Sequence, residues 1–151
     1  MARGASGFWG DRWAADRLGA MNRPVSPAFS RLRIAAGIMT ALIFIQAGMS
    51  IMMLTGNGGP TLYSVHGWLG YAAFLTGIVA TVFAWQASKV TGSKGTFFHA
   101  LSLPILMILQ IGLGEMAVTV VHIILGLALL VGSFALFAIA GKGNRPAETV
   151  S

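Results

Sequence analysis

Ile108-Leu109-Gln110-Ile111-Gly112-Leu113-Gly114-Glu115-Met116-Ala117-Val118-Thr119-Val120-Val121-His122 lies in the middle of an apolar run from Thr96 to Ala140. A run of about forty-five residues is too long for one membrane span at any reasonable tilt. Glu115 is the only carboxylate or cation of the Lys/Arg kind within it, and Gly112 and Gly114 stand just before. The break therefore falls there. Two helices follow, about 97–113 and 117–140, joined by a very tight turn, with Pro104 expected to kink the first of them.

Upstream, a run from about Ile34 to Leu54 ends at Thr55-Gly56-Asn57-Gly58-Gly59-Pro60, a dense turn signal. The next, about 62–87, carries Tyr63 and Trp68 near one end and Trp85 near the other, as aromatic belts require. It gives way to the polar stretch 88–95. At about 1.5 Å per residue each run crosses a hydrocarbon core of roughly 30 Å. The fold class is all-α, an integral membrane four-helix bundle occupying residues 31–141. Composition agrees: 56% of the 151 residues are hydrophobic and only 9% charged, where a soluble domain carries about 25%, and the mean hydropathy is +0.77. There is no cysteine, so disulfides, thiolate metal sites, iron–sulfur ligation and thiol catalysis are excluded.

The formal net charge of +6 is informative only by position. Arg3, Arg12, Arg17, Arg23, Arg31 and Arg33 precede the first apolar run, Lys89 and Lys94 lie between the second and third, and Lys142 and Arg145 follow the last. With four crossings all of them share one side. The positive-inside rule puts that side, and both termini, in the cytoplasm of a multi-pass protein of the cell's inner membrane. The basicity is a topology signal and a contact for anionic headgroups of the membrane lipids, and no basic–aromatic module points to nucleic acid. No signal peptide is evident, and the first helix is expected to stay as an anchor. Residues 1–30 form a basic, aromatic tail in which Trp9 and Trp13 share a helical face. Two readings are open for it: a short helix in the headgroup region, or a segment that orders on a partner subunit. Pro24 and Pro27 are expected to end any such helix. Residues 142–151 are a second short tail.

Val65-His66-Gly67-Trp68-Leu69-Gly70 and Val121-His122-Ile123-Ile124-Leu125-Gly126 both read Val-His-x-x-Leu-Gly, and each follows an apolar-apolar-Gln-x-Gly, at Gln46 and at Gln110. The chain reads as a duplicated helical hairpin whose first outer loop is longer by about eight residues. Both histidines then lie about one turn below the outer surface, at one depth, on helices about 10 Å apart across the bundle. A histidine in lipid needs a partner, and two imidazoles at such a distance suit the opposite faces of one haem iron. Gly70 and Gly126, four residues on and on the same helix face, leave room beside each ligand for a porphyrin; the alternative is that they are small-residue helix contacts. Gln46 and Gln110 suit a haem propionate, an imidazole tautomer, or simple interhelical bonding. Without a cofactor, the histidines are interfacial side chains bonded to water, glutamine or backbone. A non-haem site with Glu115 as third ligand is the remaining option, but Glu115 falls in the loop above the pair. His99 starts the third helix from the inner side, some 25 Å from His66 at about 1.5 Å per residue. It reads as an interfacial histidine, a quinone or proton contact being the alternative. Met49, Met52 and Met53 stand near the outer cavity.

Where Leu109-Gln110-Ile111-Gly112-Leu113-Gly114 leads into Val121-His122-Ile123-Ile124-Leu125-Gly126-Leu127-Ala128, the chain resembles one four-helix half of the haem A synthase family, over about residues 34–140. The resemblance implies haem ligation by His66 and His122. The family's glutamate a few residues before the histidine has no counterpart: Leu62 and Tyr63, and Val118 and Thr119, occupy those places. A haem is therefore expected without the family's haem-oxidising chemistry. The expected function is a small bis-histidine membrane cytochrome of b type, holding haem b and moving electrons beside a larger membrane complex. The alternative is a cofactor-free accessory subunit of a respiratory-type complex. A stand-alone enzyme fits less well, since no nucleophile–base arrangement is visible.

Overall fold

The computed structural model describes residues 26–143, which form four helices: α1 (Pro27–Leu54), α2 (Pro60–Thr91), α3 (Gly95–Glu115) and α4 (Thr119–Gly143). All four are long and apolar enough to cross a membrane. Each helix packs on its two chain neighbours around the ring, α4 closing back onto α1, while the diagonal pairs α1/α3 and α2/α4 make no backbone approach within 8 Å. Both ends of the described chain lie at one face of the bundle, here the terminal face. The α1–α2 and α3–α4 turns lie at the other.

Two boundaries differ from the sequence reading. The first span begins at Pro27 rather than near Ile34, after an extended Ser26. At the first helical position a proline loses no hydrogen bond and its fixed φ already suits the helix. Arg31 and Arg33 are thus helical, and the tail segment carrying Trp9 and Trp13, with its expected end at Pro24, lies outside the described residues. α2 likewise runs on to Thr91, and only Gly92, with φ +71°, to Lys94 remain as the turn. The α3–α4 turn is as tight as expected, Met116 to Val118.

α3 continues through Pro104. A proline lacks the N–H that would serve the carbonyl four residues back, here that of Ala100. The Thr81 hydroxyl of α2 donates to that carbonyl at 3.0 Å, so a group stranded in hydrocarbon is satisfied from the neighbouring helix.

The buried core lies mostly in the terminal half and the middle of the bundle, with Met49 of α1 buried beyond it. Leu32, Ala36, Met39, Ala80, Ala84, Ala87, Ala100, Leu103, Leu136 and Ala140 are almost fully enclosed. Alanines and Gly77 at these contacts let the helices approach closely, as membrane bundles require where no hydrophobic force drives them together. Towards the other face no residue of α2 before Ala73, of α3 after Met107 or of α4 before Leu129 is buried. Large apolar side chains such as Phe44, Trp68, Leu75, Val131 and Phe134 point outward, the surface of a protein dissolved in lipid.

Charge follows the same axis. Arg31, Arg33, Lys89, Lys94 and Lys142 sit at the terminal face, Lys89 3.6 Å from the centre of the Trp85 ring. Glu115, the only carboxylate among the described residues, ends α3 at the opposite face.

Candidate functional site

Each outward-running helix carries one glutamine, and each glutamine reaches the helix that follows. The Gln46 amide donates to the backbone carbonyl of His66 at 2.9 Å. The Gln110 amide donates to that of His122, also at 2.9 Å. In a helix that carbonyl already serves the N–H four residues on, which belongs to Gly70 in one case and Gly126 in the other. A side chain there would shield it. With glycine, the amide nitrogen lies 3.1 Å from where a Cβ of residue 70 would stand and 3.0 Å from that of residue 126. The clearance beside each histidine is thus taken up by a glutamine amide, and the spacing Gln, His, Gly serves a hydrogen bond between helices. By contrast, Gly48 and Gly112 of the Gln-x-Gly repeat face open space.

These bonds fix the depth of the two histidines, which sit on the diagonal pair α2 and α4. Both are half-buried, and their ring centroids are 6.2 Å apart with planes inclined by 50°. Two imidazoles sharing one first-row metal ion, each through a bond of roughly 2 Å, have ring centres about 6 Å apart. The observed span meets that requirement.

The two rings are held differently. His122 Nδ1 lies 2.9 Å from the Gln110 carbonyl oxygen. A carbonyl only accepts, so Nδ1 carries the hydrogen and the neutral ring keeps its lone pair on Nε2. Gly114 favours this approach, because a Cβ there would lie 3.2 Å from Cε1 and 3.3 Å from Nδ1 and the ring would have to give by a few tenths of an ångström. In the first hairpin the position four residues after the glutamine is Ser50, whose hydroxyl donates to the Gln46 carbonyl at 2.9 Å. His66 Nδ1 is buried and has no hydrogen-bond partner, and Gln110 Oε1 is in the same state. An orphaned buried nitrogen is costly, so hydrogen-bonding capacity at this level of the bundle is left unmet by the described residues.

His99 is not part of the site. Its Nε2 donates to the Gly132 carbonyl at 2.9 Å, joining α3 to α4 nearer the terminal face. Glu115 is exposed at the end of α3, and among the described residues no cluster of three or more His, Asp or Glu side chains comes together. Met49 is buried, whereas Met52 is exposed. Ser50 was not singled out from sequence and Gly114 only as part of the break, although both stand four residues after the repeated glutamine. No protein-family model, curated protein or solved structure matches the chain.

Proposed function

We propose that this chain is a small bis-histidine membrane protein that holds haem b between His66 and His122 and acts in electron transfer beside a larger membrane complex. The 6.2 Å separation of the two rings carries this reading, with the free Nε2 lone pair of His122 and the resemblance to half of a haem A synthase in support. His66 and His122 would hold the iron, and a pair of imidazole ligands would suit an electron carrier. The haem would supply one-electron chemistry; the chain sets ligand depth through Gln46 and Gln110 and fixes the His122 ring through the Gln110 carbonyl. The paired Gln–carbonyl bonds also support a duplicated hairpin, its halves related by an axis along the membrane normal. The cations of the terminal face support a cytoplasmic location for that face.

One observation favours the alternative, a cofactor-free accessory subunit. The glycine clearances expected to accommodate a porphyrin edge are filled by glutamine. A reduced-minus-oxidised spectrum of the purified protein separates the two. Split Soret and alpha bands lost in both His66→Ala and His122→Ala are expected; their absence from the intact protein would leave the scaffold reading.

A further inference from the structure

At the terminal face α1 is flanked by two grooves. One, of about 480 Å³, lies between α1 and α4 and is lined by Ser30, Arg33, Ile34, Gly37, Ile38 and Phe137. The other, of about 400 Å³, lies between α1 and α2, with Arg31 at its mouth and Leu75 and Val79 on its wall. Ile34 and Ile38 line both, so the two grooves are the sides of one ridge, each with an arginine at the end where headgroups lie.

The α1–α4 groove is the more specialised of the two. Arg33 lies against the Phe137 ring, 5.2 Å from its centre, which holds the guanidinium beside the trough. Gly37 keeps the trough open, since a Cβ there would come within 3.3 Å of Phe137 Cε2. Ser30 adds a hydroxyl at the same mouth. Among the described residues neither arginine has a carboxylate to offset it, Glu115 being at the other end of the bundle. A cation and a hydroxyl above an apolar trough open to lipid are the complement of a phosphate that carries an alkyl chain.

We propose that the α1–α4 groove is a specific site for an anionic phospholipid, with its phosphate on Arg33 and Ser30 and one acyl chain along Gly37 and Phe137. The site does not depend on the haem reading. It is tested by reconstituting the whole chain in bilayers of equal phosphatidylglycerol and phosphatidylcholine, extracting it in mild detergent, and counting retained lipid by native mass spectrometry. The expected result is one retained phosphatidylglycerol, favoured about fivefold over phosphatidylcholine, the preference that one arginine near a headgroup supplies. Arg33→Gln should bring the two lipids to parity, and Gly37→Leu, which fills the trough, should remove both. Lys94→Gln, a cation of the same face outside both grooves, should leave the preference intact. Equal retention of both lipids by the intact chain overturns the proposal, whether a zwitterionic lipid or another segment covers the groove. An undiminished preference in folded Arg33→Gln overturns it as well. Should that variant not fold, the intact-chain competition and Gly37→Leu still decide.

Discussion

The two hairpins solve one problem with one device and then part ways. In both, a glutamine amide is seated on a histidine carbonyl over a glycine. In the second hairpin Gly114 lets the His122 ring reach the Gln110 carbonyl, so the Gln110 amide fixes the depth of the ring and the Gln110 carbonyl its rotation. In the first, Ser50 occupies the corresponding carbonyl, and His66 is fixed in depth alone. One ring is held and the other is adjustable. A pair built this way keeps its spacing without both members being rigid.

The most damaging test fills the glycine under each amide. Gly126→Leu and Gly70→Leu should each lose the glutamine bond and overpack the contact, at about 2–4 kcal/mol. Thermal unfolding in detergent checks this, and costs differing widely between the two would break the equivalence of the hairpins. Next, Gly114→Ala should push His122 from its carbonyl and cost about 1–2 kcal/mol, while Ser50→Ala should change stability by less than about 0.5 kcal/mol. Nitrogen NMR of the imidazoles gives the sharper readout: Gly114→Ala should move the His122 signals and leave those of His66 in place.

A further contrast concerns the turns that close the hairpins. In the first, Gly56 stands at φ +79°, and Asn57 and Gly56 donate to the carbonyls of Met52 and Met53. In the second, Ala117 stands at φ +55° in the same motif, with Val118 and Ala117 donating to Leu113 and Gly114. A Cβ in that region costs about 1 kcal/mol. Ala117→Gly should therefore stabilise the second hairpin by up to about 1 kcal/mol and Gly56→Ala destabilise the first by a similar amount, both read from melting temperature.

Much of this architecture is legible in the residues. The length of the apolar run forces a break at Gly112–Glu115, and the placement of cations assigns them to one face, because membrane thickness and charge burial leave few choices. The beginning of α1 at Pro27 is less legible, since Arg31 and Arg33 look like a polar lead until their helical position is known. Gln46, His66 and Gly70 each stand out in the repeat, but that the amide occupies the glycine's space depends on the relative depth of two helices. That depth varies with how far each helix extends beyond its histidine: the bonded residues are 20 apart in the first hairpin and 12 in the second. The contrast between Ser50 and Gly114 acquires meaning only once a ring is seen to need the carbonyl.

The concentration of the core towards the terminal half has a mechanical consequence. Small-residue contacts clamp the four helices at one end, so the histidine end behaves as the free end of a bundle of cantilevers, its spread set by a few hydrogen bonds rather than by close packing. Amide exchange should start there and spread slowly towards Ala80 and Leu136. A small change in ring spacing would then flex the free ends and leave the clamp undisturbed.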